Sequence, residues 1–113
     1  MIYIKFDMTT KDGEMEYGTD NVASIKANDL TIEQIIEILN TQVAMPELDI
    51  NPDDPDEYEM HPNGEIEARN GDYRWIYISG VKTMPKAHFD IMTKYNINAF
   101  FDLLPPTKGF QFR

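Results

Sequence analysis

The sequence predicts an α+β domain, and three observations predict it. Apolar and polar residues alternate at the N-terminus, a capped amphipathic helix starts at Thr31, and two Asn-Gly pairs punctuate a strand-rich stretch in the second half. The expected order is an N-terminal β-hairpin, an amphipathic helix, an acidic connector, a three-stranded antiparallel meander, and a C-terminal helix plus a short helix. All of it is expected in a single domain, residues 1–113.

The first strand rests on Ile2, Ile4, Phe6 and Met8, which alternate with Tyr3, Lys5 and Asp7. A period of two puts one set on a core and the other in water. Asp12-Gly13 signals a turn, and residues 14–17 return as a second strand with Met15 and Tyr17 inward. Gly18, Thr19, Asp20 and Asn21 are expected to end it, leaving residues 22–27 open between loop and a short third strand. The helix has the clearest signal. Thr31 with Gln34 three residues on has the spacing of a capping box, and Leu30 with Ile35 makes a hydrophobic staple. Ile32, Ile35, Ile36, Leu39 and Val43 recur at helical spacing, predicting a helix from 32 to about 41 that cannot pass Pro46.

The meander is predicted at residues 57–61, 65–69 and 72–79. For its first turn, a three-residue loop Pro62-Asn63-Gly64 sets Met60 opposite Ile66 and Tyr58 opposite Ala68. For the second, a two-residue turn at Asn70-Gly71 pairs Glu67 with Arg74 and Ile66 with Trp75. One face then carries Tyr58, Met60, Ile66, Ala68, Tyr73, Trp75 and Tyr77 toward the core. The other carries the rows Glu57–Arg69–Asp72, Glu59–Glu67–Arg74 and His61–Glu65–Ile76. Further on, Thr83 caps a helix with Pro85 in its first turn and Met84, His88, Ile91, Met92 and Tyr95 on one face, with His88 at the border of the core. Asn96 stops it, and Asn98 caps a short helix at residues 99–103, ended by Pro105-Pro106. The tail, residues 109–113, alternates Phe110 and Phe112 as an edge strand or a frayed end.

Composition narrows the function. There is no Cys, which removes thiolate nucleophiles, disulfides and Cys-ligated zinc. The N-terminus lacks a signal-peptide pattern, and no apolar run approaches the ~20 residues of a membrane span. The cytoplasm is the expected compartment. Neither His61 nor His88 belongs to a nucleophile motif, and no Gly-rich phosphate loop exists. The chain is therefore expected not to be an enzyme and to need no cofactor. Asp49, Asn51 and Asp53 have the spacing that opens a calcium loop. Asp54 stands where that loop needs Gly and Met60 where it needs a bidentate Glu, so no metal site is expected.

What remains is charge. The formal net charge is −10, and residues 46–60 alone carry seven acids (Glu47, Asp49, Asp53, Asp54, Asp56, Glu57, Glu59) and no base. Such a chain is not expected to bind nucleic acid or an anionic membrane directly. It is expected to bind a basic protein surface, that of a nuclease or another nucleic-acid-binding protein, through Asp53, Asp54, Asp56, Glu57, Glu59, Glu65 and Glu67. Glu57, Glu59, Glu65 and Glu67 are expected on one exposed face with only Arg69 and Arg74 to offset them, and the opposed pair Glu59–Glu67 is destabilising. Nuclease-toxin immunity proteins and anti-restriction or anti-CRISPR inhibitors that mimic nucleic acid offer an analogy of size and charge, without a shared motif. The alternative expectation is an assembly or regulatory module that binds through its aromatic C-terminal region, the acids being only a solvated loop.

Overall fold

A computed structural model describes residues 1–69, 74–95 and 97–105. They form one six-stranded mixed sheet with one main helical segment and one short helix. The fold is therefore largely β, and the helix-rich α+β layout expected from the sequence is corrected. The strands are β1 (Ile2–Asp12), β2 (Met15–Ile25), β3 (Tyr58–Met60), β4 (Ile66–Ala68), β5 (Arg74–Thr83) and β6 (Asn98–Leu103), in the order β3-β4-β5-β1-β2-β6. All neighbours are antiparallel except β2 and β6.

β1 alternates as its sequence demands, with Ile4, Phe6 and Met8 buried. β2 does not stop at Gly18. Its eleven residues pair with β1 without interruption from Met15 opposite Asp12 to Ile25 opposite Ile2, and this ladder overrides the local turn signals. Asn21 fits the buried strand because its amide donates to the Thr19 carbonyl at 2.9 Å. Met15 and Tyr17 share the alternation of Ala23 and Ile25, but the hairpin tip overshoots the helix and leaves them 69% and 49% exposed.

The capping box at Thr31 forms, each partner's side chain accepting from the other's backbone N–H. Helix α1 (Ile32–Leu39) runs on through a π-helical turn (Asn40–Ala44) into α2 (Met45–Glu47). In the widened turn the Met45 N–H reaches the Asn40 carbonyl five residues back. Pro46, which has no N–H to give, is accommodated just after it rather than ending the helix. Ile35, Ile38, Leu39, Val43, Ala44 and Met45 pack on Ile4, Phe6, Ala23, Ile25, Ile66, Ile76 and Ile78 of the sheet's inner face.

Two further expectations are corrected. The β3–β4 register is the expected one, with Gly64 left-handed at φ +92, but β5 is shifted by one residue. Ile66 pairs with Ile76 and Glu67 with Trp75. Eight pairs with β1 set the position of β5 and outweigh the preference of one turn. The slip exchanges the faces of β5: Ile76 and Ile78 go to the core, and Trp75 and Tyr77 go to the outer face. Asn70-Gly71, Asp72 and Tyr73 lie outside the described residues. Residues 99–103 form an edge strand, not a helix. A helix of five residues before Pro105 cannot repay its nucleation, whereas the free edge of β2 offers hydrogen bonds at once. Asp102 is left-handed (φ +57) at the break in this pairing, and its N–H donates to the Ser24 hydroxyl at 2.8 Å.

Helix α3 (Lys86–Met92) crosses the outer face between β5 and β6. Its N-cap is Pro85, and Thr83 is the last residue of β5. The buried side chain is Phe89, against Tyr3 and Phe101, while His88, Ile91 and Tyr95 are exposed. Asn96, Phe110 and Phe112 lie outside the described residues. Among the described residues no helix is long and apolar enough to cross a membrane.

Candidate functional site on the open half of the outer sheet face

α3 covers only one end of the outer face. On the other end the registers place Glu59 opposite Glu67, Glu67 opposite Trp75, Trp75 opposite Lys11, and Lys11 opposite Glu16. This is one row across five strands, with neighbours ~4.8 Å apart along the ladder. It holds two acids, an indole, an ammonium and a further acid.

Flanking residues bind the row together. His61 stacks on Trp75, with ring centroids 5.6 Å apart and planes 18° from parallel. Its Nε2 lies 3.2 Å from Glu59 Oε2 and 3.4 Å from Glu67 Oε1. Arg69 approaches the same two carboxylates from the other side, 2.7 Å from Glu59 Oε1 and 3.9 Å from Glu67 Oε2. The like-charge pair thus lies between a guanidinium, which offsets part of its repulsion, and an imidazole nitrogen within reach of both carboxylates. Lys11 Nζ sits 5.6 Å from the centre of the Trp75 ring and 3.9 Å from Glu65 Oε1. A cavity of about 210 Å³ opens here, lined by Thr9, Lys11, Glu16, Glu65, Trp75 and Tyr77 together with Ile76. It is smaller than the ~300–1,000 Å³ of a small-molecule pocket and has room for a single side chain.

The connector acids lie elsewhere. Leu48 and Ile50 are buried in the core, so residues 46–60 are not a loose loop. Arg74 donates to the Leu48 carbonyl at 2.9 Å, at the end of α2, and reaches Asp49 at 3.5 Å, instead of pairing with Glu67. Asn51 Oδ1 accepts from the Asp53 N–H and Asp54 Oδ1 from the Asp56 N–H, which folds the chain into a 3-10 turn (Pro55–Glu57). Glu57 is in this turn rather than in β3. Its carboxylate accepts the Asn51 N–H at 3.0 Å, while its carbonyl accepts the Arg69 N–H at 2.7 Å, so Glu57 still lies opposite Arg69 as expected. Among the described residues Asp53, Asp54, Asp56 and Glu57 have no basic partner within 4 Å.

The seven acids expected to bind a partner thus fall into two groups, Asp53, Asp54, Asp56 and Glu57 on the connector and Glu59, Glu65 and Glu67 on the sheet. The sequence reading missed the roles of His61 and Trp75. The signal for His61 was its position two residues from Glu59 on one strand, with Glu67 across from Glu59. Trp75 was placed on the wrong face by the slipped register. Away from both groups, the hydrogen bond from Lys86 to Asp90 holds the Lys86 ammonium above the ordinary lysine value. Comparison with protein families, characterised proteins and solved structures gives no match, so the site's chemistry is read from its geometry.

Proposed function

We propose that this chain is a small, non-enzymatic, cytoplasmic binding protein whose negative surface occupies a basic, nucleic-acid-handling site of a partner protein and inhibits it. The observation that carries this reading is that Asp53, Asp54, Asp56 and Glu57 have no basic partner among the described residues, on a connector anchored in the core by Leu48 and Ile50. An acidic loop that only aids solubility needs no such anchor. Fixed charge of one sign speeds association with a basic cleft and selects against acidic partners. Glu59, Glu65 and Glu67 extend the surface, and the Trp75–Tyr77 cavity beside them suits one inserted cationic side chain.

A second reading, self-assembly or docking through the C-terminal region, is favoured by one observation. The edge strand β6 exposes Phe101 (61%), and Leu104 is exposed just beyond it. One experiment separates the two. The wild-type chain, the reversal Asp53→Lys/Asp54→Lys/Asp56→Lys, and Phe101→Glu are each used to capture partners from lysate at low and high salt. The acidic-surface reading expects capture of a nucleic-acid-binding protein that is lost in the charge reversal, weakened steeply by salt, competed by nucleic acid, and kept by Phe101→Glu. Capture lost only in Phe101→Glu and flat in salt favours the second reading and sinks the first.

A further inference from the structure

We propose that Glu59, His61 and Glu67 form a binding site for a divalent transition metal of the zinc class. The three come from the β3–β4 hairpin and are the one group of this kind among the described residues. One ring nitrogen and one oxygen from each carboxylate lie within 4.8 Å of one another. Zinc binds imidazole nitrogen at about 2.0–2.1 Å and carboxylate oxygen at about 2.0–2.2 Å, so the edges of its tetrahedron are about 3.3–3.5 Å long. The two edges that meet at His61 Nε2 measure 3.2 and 3.4 Å. A single nitrogen cannot donate one proton fully to two carboxylates, but a cation between the three atoms satisfies all of them. The third edge, between the two carboxylates, closes by rotation of the partly exposed Glu59 side chain.

The surroundings fit the same role. Stacking on Trp75 fixes the plane of the imidazole. Arg69 takes the outer oxygens, Oε1 of Glu59 and Oε2 of Glu67, and leaves the inner oxygens, Oε2 and Oε1, facing His61. Groups that hold ligating carboxylates in this way orient them for the metal. The mixed nitrogen and oxygen donor set suits zinc, nickel, cobalt and copper and is a poor match for calcium or magnesium, which take oxygen alone. The Arg69 charge lowers affinity without blocking the inner oxygens. The site stands on hairpin geometry alone and needs no partner protein, so its test is independent of the inhibitory reading.

The test is calorimetric titration of the metal-free full chain with Zn²⁺, followed in parallel by Ni²⁺ quenching of Trp75, the chain's one tryptophan. The expected result is saturable one-to-one binding and a saturable loss of Trp75 fluorescence. His61→Ala and the isosteric Glu67→Gln are each expected to weaken Zn²⁺ by at least about tenfold, and His88→Ala to leave it unchanged. Absence of saturable binding by the wild-type chain overturns the proposal. So does binding of the same strength in His61→Ala, which would assign the ion to scattered surface acids.

Discussion

The two acidic regions of this molecule solve the same electrostatic problem in opposite ways. On the sheet, Glu59 and Glu67 face each other across a ladder, and the chain surrounds them with Arg69 and His61. On the connector, Asp53, Asp54, Asp56 and Glu57 meet no base among the described residues. Backbone N–H groups bind the Asp54 and Glu57 carboxylates and shape the turn around them. The first arrangement offsets part of the charge and makes a local structure of it. The second fixes the backbone and leaves the charge facing outward. Density of acids in a sequence therefore does not say which acids are available to a partner. That depends on which strand brings a base alongside.

The largest effect that can break this comparison lies under the connector. Leu48 is fully buried, so Leu48→Ala is expected to lower stability by about 2–5 kcal/mol in chemical denaturation. If the connector were merely solvated chain, the change would stay within about 0.5 kcal/mol, and the contrast between a pinned and a laced region would collapse.

How much of this was legible in the sequence follows from how local each decision is. The alternation of β1, the Thr31–Gln34 capping box and the Pro62-Asn63-Gly64 loop are decided within a few residues, and each appears as read. The position of β5 is decided by its long pairing with β1, a strand more than sixty residues away in sequence, which no turn signal encodes. The same holds for β6, whose residues join the free edge of β2. The site inherits this split. The opposition of Glu59 and Glu67 follows from one local turn and was readable. The place of Trp75 beside them depends on the non-local register and was not. His61 was missed because its two carboxylate contacts run along a strand and diagonally across a hairpin, not straight across it.

A second, smaller effect tests the laced region. Arg69→Gln removes the guanidinium and leaves two opposed carboxylates with only His61 between them. The expected loss is about 0.2–1 kcal/mol, because the pairs are partly exposed. It should shrink as salt rises. In a Glu59→Gln/Glu67→Gln background the same substitution should have almost no effect, since there is no repulsion left to offset. A loss of equal size in both backgrounds would mean that Arg69 acts through packing of its stem and not through charge.

The smallest effect belongs to the pinned region. The Asp53 and Asp56 carboxylates are exposed and take no hydrogen bond or base among the described residues. What shapes the turn is their backbone N–H groups, donated to Asn51 and Asp54. Asp53→Asn/Asp56→Asn keeps those N–H groups and removes two negative charges from a chain of net charge −10. Stability should therefore stay within about 0.5 kcal/mol of wild type, or rise slightly as self-repulsion falls. Asp54→Ala removes the oxygen that accepts the Asp56 N–H and should cost more than the double substitution does. If the order is reversed, the charges themselves hold the connector together, and they are then engaged within the molecule and not held ready for a partner.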